Sequence, residues 1–246
     1  MRGAFSQFLA SILIKSVYAM KNYPVILINT VLSPLSFLIL ITLSSGGSLI
    51  GEAVEGSLIM TMFSSGTSLQ GDLSHLKNDY RLQDMVVGSP ASAGAYVAGM
   101  TISELIYSSP ALAILSVLFY FYVHVTPFQL ATIVGVMLLM FLTSVSIGFL
   151  LATVSSDIVE SFAYTRLLST LFSTIPPVYY PITYIPMPWR YLAYLSPTTY
   201  ASEIAQNAAG LARQTPTNID LAWVVLLAVT AVFFYVSLTK ARWREK

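Results

Sequence analysis

The chain has 246 residues, 56% of them hydrophobic and 9% charged, with a formal net charge of +1. An average soluble domain carries about 25% charged residues, so this composition cannot cover a water-facing surface and its main solvent is a lipid bilayer. The charge balance excludes the clustered basic face that a nucleic-acid partner needs. The absence of cysteine excludes a disulfide framework and a thiolate metal site.

The first twenty residues read as an amphipathic helix and not as a span. Phe5, Phe8, Leu9, Ile12 and Leu13 recur at helical spacing, with Ser6, Gln7, Ser11 and Lys15 elsewhere. A helix so patterned lies in the membrane interface. A span needs about 20 mostly apolar residues. Residues 24–43, 95–123, 128–154, 158–180 and 221–238 meet that test. A sixth stretch, 53–70, is weaker, because Ser57, Thr61, Ser64, Ser65, Gly66, Thr67 and Ser68 interrupt it.

Cytoplasmic loops carry an excess of Lys and Arg. With six spans and the N-terminus inside, ten of the twelve cations are cytoplasmic and only Arg190 and Arg213 are outside. With five spans the split is five inside against seven outside. The expectation is therefore six spans with both ends cytoplasmic, forming one membrane domain over residues 1–246. The small and hydroxyl-bearing residues of span two suit a helix that faces protein or a water-lined cavity, and close helix packing alone accounts for them equally well. The tail KARWREK, with four cations beside Trp243, reads as an interfacial anchor.

Two stretches stand apart from the spans. Residues 72–90 form the one long hydrophilic segment inside the apolar chain. Residues 176–203, PPVYYPITYIPMPWRYLAYLSPTTYASE, carry six prolines among Tyr and Trp. Prolines at that density break regular helix, and aromatic rings with a polar tip settle at the headgroup level. This stretch is expected to form re-entrant outer helices between spans five and six, since broken backbone at membrane depth needs protein or a water-filled cavity beside it.

Catalytic signatures are missing. The chain has no GxxxxGK[ST], HExxH or GxSxG, and no cluster of His and carboxylates with ligand spacing. His75 and His124 are far apart in sequence and read as interfacial residues. Glu104, about ten residues into the third apolar run, is either an intramembrane carboxylate or an inner-interface one. An enzyme, a proton-relay pump and a metal site are thus not expected. A channel-forming or structural polytopic protein with no energy source is the alternative to a transporter.

The order of these features resembles the permease subunits of type-2 ATP-binding-cassette (ABC) exporters, similar to those for daunorubicin resistance and for polysaccharide or lipid export. The resemblance rests on the amphipathic start, on Asp79-Tyr80-Arg81-Leu82-Gln83-Asp84-Met85 followed by Ser89-Pro90, on the proline and aromatic block, and on a single span before a short basic tail. The sequence has Ser196 where that block often has Asn.

The resemblance implies an all-α integral membrane fold with a cytoplasmic coupling helix, in the plasma membrane. It implies a separate ABC ATPase as partner, which binds ATP and magnesium, while this chain binds no cofactor and no metal. A second permease copy and membrane lipid complete the expected partners, with no nucleic acid. Lys77, Asp79, Tyr80, Arg81, Leu82, Asp84 and Met85 are the residues expected to couple to the ATPase. Spans one, two and five are expected to wall a path for an amphiphile, a drug, lipid or lipid-linked glycan, along Asn29, Ser33, Ser64, Ser65, Thr67, Tyr179 and Tyr180.

Overall fold

The computed structural model describes residue 9 and residues 12–22, 24–78, 93–155, 157–174, 176–211 and 218–240. Among these the fold is helical and contains no strand. The longer helices are α1 (Pro24–Ser44), α2 (Ile50–Asn78), α3 (Ala93–Tyr122), α4 (Pro127–Val154), α5 (Ile158–Thr174), α6 (Pro197–Ala208) and α7 (Ile219–Lys240).

Local chemistry sets the ends of these helices. Gly46 and Gly47 adopt positive φ in the five-residue turn between α1 and α2, and the Gly47 N–H closes on the Thr42 carbonyl at 2.8 Å. Thr126 and Gln129 form a reciprocal capping box at the start of α4, with Pro127 in the first turn. Asp157 caps α5 by accepting from the Glu160 N–H at 2.7 Å, and Ser196 caps α6 by accepting from the Thr198 N–H at 3.3 Å.

Among the described residues four helices are long and apolar enough to cross a membrane: Leu27–Ser44, Val97–Tyr122, Pro127–Val154 and Ile219–Thr239. They differ in what they face. The α1 window is 11% buried and the α4 window 56%, which puts α1 at the periphery and α4 in the interior. The outward side chains of α1 and α7, among them Val25, Ile28, Leu32, Leu40, Leu221, Val224 and Val232, are exposed and apolar, as a lipid-facing or partner-facing surface requires.

Helix α2 is the hub of the bundle. It packs against α1, α3, α4, α5 and α6, and every residue from Gly51 to Phe63 is buried. A helix enclosed by protein on all sides need not be apolar, and this one is not apolar enough to count among the four. It is closest to α4. A β-carbon on Gly66 would lie 2.7 Å from the Val145 nitrogen and 2.8 Å from the Phe141 carbonyl oxygen, and one on Gly148 would lie 3.0 Å from the Gly66 carbonyl oxygen. Only a missing side chain on each helix allows that approach. The core is continuous here, with Ile59, Phe63, Val136, Met140 and Phe141 buried together.

The proline and aromatic block folds inward. Helix α5 ends at Thr174, so the apolar run expected to span 158–180 is helical only over its first part. Pro176 and Pro177 cannot continue the ladder, and the chain proceeds through Val178 and Tyr179, both buried, to a 3₁₀ turn at Ile182–Tyr184 and a helical turn at Arg190–Ala193. Helix α6 then re-enters the bundle, with nine of its residues buried against α2, α4, α5 and α7. Its hydroxyls satisfy the broken backbone: Thr198 donates to the Phe172 carbonyl at 3.0 Å and Ser202 to the Val178 carbonyl at 3.0 Å.

Before α1, a π-helical turn (Leu13–Tyr18) runs into a short helical turn (Ala19–Asn22) and packs on α3. Leu9, Leu13 and Val17, four residues apart, are exposed, while Ser16 is buried and donates to the Ile12 carbonyl at 2.6 Å. The apolar stripe faces away from the bundle, as an interfacial segment requires.

Candidate functional site

A cavity of about 360 Å³ opens between α1, α2, α3 and α5. Helical spacing assembles it. Asn29, Ser33 and Phe37 lie four residues apart on α1, Met60, Ser64 and Ser68 four apart on α2, and Glu104 and Ser108 four apart on α3. Ser169 of α5 and Tyr179 close the wall, and the Tyr179 ring stacks on Phe37 with centroids 5.2 Å apart and planes 10° apart. Pro34 also lines the cavity, and Ser57 of α2 donates to its carbonyl at 3.3 Å, tying α1 to the hub.

Part of the polar chemistry of the wall is already committed. Thr61 donates to the Ser57 carbonyl at 2.7 Å, Ser65 to the Glu104 carbonyl at 3.3 Å, and Ser108 to the Leu105 carbonyl at 3.1 Å. The Ser68 hydroxyl lies within reach of both the Ser65 carbonyl and the Glu104 carboxylate, which share its one proton. A hydroxyl has one proton to give. Once it is given to the backbone, acceptor lone pairs are what remains.

Of the residues expected to line a path, Asn29, Ser33, Ser64, Ser65 and Tyr179 share this cavity. Thr67 and Tyr180 do not. Thr67 is buried on the α4 side of α2, where it donates to the Phe63 carbonyl at 3.0 Å and its backbone abuts Gly148. Tyr180 lines a separate cavity of about 460 Å³ with Ile41, Ser44, Leu49 and Tyr184. The wall residues that sequence reasoning left out include Phe37, Ser68, Glu104, Tyr107, Ser108 and Ser169. The four-residue recurrence on α1, α2 and α3 is the signal that carries most of them.

Among the expected coupling residues, Lys77 lies in the last turn of α2. Asp79, Tyr80, Arg81, Leu82, Asp84 and Met85 lie outside the described residues. The segment 72–90 does not leave the bundle at once: α2 continues to Asn78, with Leu73 and Ser74 buried. There α2 and α5 are clasped by side chains. Gln70 donates to Ser161, Thr165 donates to Gln70, and the Ser74 and Ser161 hydroxyls are 2.5 Å apart.

Other acids gather at the opposite end of α2. Glu52 lines a cavity of about 870 Å³ together with Tyr122, Thr183 and Leu211. Glu55 is fully buried, and neither carboxylate oxygen has a hydrogen-bond partner among the described residues. No group of three or more His, Cys, Asp or Glu among the described residues is placed to hold a metal ion.

The family model described as ABC-2 type transporter matches residues 6–209, which hold the cavity and all the helices except α7. No curated protein matches the chain.

Proposed function

The chain belongs to the ABC-2 type transporter family, and from that premise we propose that it is the permease subunit of an ATP-driven exporter that moves an amphiphile out of the cytoplasm. Membership makes it a membrane-embedded, multi-pass transport subunit of the kind that normally works with an ABC ATPase. The observation that carries the finer reading is the cavity. A stacked aromatic pair and a row of hydroxyls meet in a pocket walled by α1, α2, α3 and α5, on the flank of a peripheral helix. An apolar face with a few placed polar groups is what holds an amphiphilic ligand.

In this reading α2 and α5 join the four apolar helices to make six spans, and both ends of the chain are cytoplasmic. The subunit sits in the plasma membrane as a permease dimer, with the cavity flank toward the second copy and lipid around the rest. Helix α6 and the turns before it are the re-entrant outer elements. ATP and magnesium are bound by the partner ATPase, and this chain performs no catalysis of its own. Residues 77–85 seat in the ATPase. Tyr80, Leu82 and Met85 serve as buried anchors inside a polar rim of Lys77, Asp79, Arg81 and Asp84.

The test is a pull-down in detergent of the tagged chain from its native host, with ATPase activity measured on the eluate. A copurifying ATPase subunit that is lost or uncoupled in Tyr80→Ala and Arg81→Glu is the expected result. A chain that elutes with no ATPase, or variants that transport normally, would remove the coupling assignment.

A further inference from the structure

We propose that the cavity of about 460 Å³ beside Tyr180 is the outer continuation of the cavity between α1, α2, α3 and α5, and that the Phe37–Tyr179 stack is the gate between them. The inference rests on the reading that the inner cavity lies on the path of an ATP-driven exporter with both chain ends cytoplasmic. It names a second site for the same amphiphile and the point at which its path is closed.

The two cavities share their walls. One stripe of α1 runs through both: Asn29, Ser33 and Phe37 line the inner cavity, and Ile41 and Ser44, the next positions on that stripe, line the outer one. Facing them, Tyr179 lines the inner cavity and Tyr180, the next residue in the chain, lines the outer one. The crevice between α1 and the proline and aromatic block thus keeps one direction and is interrupted at one level. That level is the stack, with ring centroids 5.2 Å apart and planes 10° from parallel.

The two rings are held unequally. Tyr179 is 4% exposed and fixed from two sides. A β-carbon on Gly56 of α2 would lie 3.0 Å from its α-carbon, and Ser202 of α6 donates to the carbonyl of the preceding Val178 at 3.0 Å. Phe37 is 37% exposed and belongs to the peripheral α1. Pro34, three residues before it, lies inside α1 and has no N–H to give to the preceding turn, so the helical ladder is broken there. The Ser57 hydroxyl of α2 lies 3.3 Å from the Pro34 carbonyl, which pins α1 to the hub at the turn where it bends most easily. A tilt of α1 beyond Pro34 would draw Phe37 off Tyr179 and join the cavities. While the rings are together, their apolar faces keep water and polar solutes from crossing.

The chain has no cysteine, so a single introduced thiol reports its own surroundings. Ser44→Cys places one in the outer cavity and Ser64→Cys in the inner cavity, and both serines are exposed. The probe is a membrane-impermeant, trimethylammonium-bearing methanethiosulfonate, added outside right-side-out vesicles that hold the full chain and its partner subunits. The vesicles are either empty or loaded with ATP and magnesium, and the labelling rate of each thiol is measured.

In empty vesicles Ser64→Cys is expected to react at least about tenfold more slowly than Ser44→Cys. Phe37→Ala should remove most of that difference by speeding Ser64→Cys and not Ser44→Cys. Phe37→Tyr, which keeps the ring, and Leu40→Ala, which trims the outward side of α1, should change neither rate. Equal rates at the two thiols with the stack intact overturn the gate, as does a Ser64→Cys rate that Phe37→Ala leaves slow. So does a Phe37→Ala chain in which both thiols react faster, the sign of general loosening. Loaded ATP tests the reading beneath the gate, since it should speed Ser64→Cys with the stack intact. A chain opened by Phe37→Ala but not by ATP keeps the barrier and loses the ATP-driven path. One opened by ATP but not by Phe37→Ala keeps the path and loses the gate.

Discussion

At Gly66 a single hydrogen atom decides how near two helices come. The backbones of α2 and α4 touch there, and a methyl group would be driven against the Val145 nitrogen and the Phe141 carbonyl. Gly66→Ala is expected to cost about 1–3 kcal/mol, because neither helix can give way. Gly135, on α4 with open space around it, is the control. Gly135→Ala should leave stability unchanged or raise it slightly through helix propensity. Thermal unfolding of the detergent-solubilised protein separates the two, and equal midpoints would mean that the close approach is not kept in solution. Glu55 poses the opposite problem, a polar group that packing encloses. A buried carboxyl without a partner costs free energy that an apolar side chain of similar volume does not. Glu55→Met is thus expected to unfold at higher temperature than the wild type. A clearly lower midpoint would show that the assembled protein supplies a partner for the carboxyl.

Individual helices show where sequence reading succeeds and where it stops. The four apolar spans were legible because the side chains each of them leaves exposed are apolar, and 24–43, 95–123, 128–154 and 221–238 fall within a few residues of α1, α3, α4 and α7. Helix α2 was legible only as a weak stretch, since its hydroxyls face other helices and leave no apolar signature. Its C-terminal end was hidden for the same reason: Asp72 to Asn78 read as the start of the hydrophilic segment, yet Leu73 and Ser74 are packed. The fifth run misled in the other direction. Val178, Tyr179 and Ile182 are apolar because they are buried, while Pro176 and Pro177 have already ended the helix. Part of the cavity wall was readable in the sequence, as Asn29, Ser33, Ser64, Ser65 and Tyr179, but Glu104 and Tyr107 needed the packing of α3 to bring them in. If residues 77–85 seat in the ATPase as proposed, the clasp of α2 on α5 is the contact that would carry the stroke into the bundle. Gln70→Leu removes both side-chain links that Gln70 makes to α5. In proteoliposomes it is expected to lower the substrate moved per ATP hydrolysed by several-fold. Thr230→Val, which breaks the 2.7 Å contact with Thr143 between α7 and α4, should not. An unchanged ratio in Gln70→Leu would show that the clasp is structural only.

The described residues form a hydroxyl-bearing central helix inside a jacket of apolar helices. Helix α2 sits at the centre with α4 pressed against it, and α1, α3 and α7 present much of the apolar outer surface. The hydroxyl-rich composition of α2 suits its finished place, but the chain is made one residue at a time. When α2 leaves the ribosome its enclosing helices, other than α1, do not yet exist. Its serines, threonines and two glutamates make it a poor candidate to enter the bilayer alone. The five-residue turn at 45–49 would let α1 and α2 enter as a helical hairpin, in which the Ser57 hydroxyl of the folded chain lies 3.3 Å from the Pro34 carbonyl. In a glycosylation-tag insertion assay, α2 fused alone to a reporter is expected to remain untranslocated. The α1–α2 pair, or the chain through α4, should place it across the membrane. Efficient insertion of isolated α2 would remove the dependence. The residues that suit this helix to the centre of a transporter thus also tie the fate of each nascent chain to the order in which its segments are synthesised.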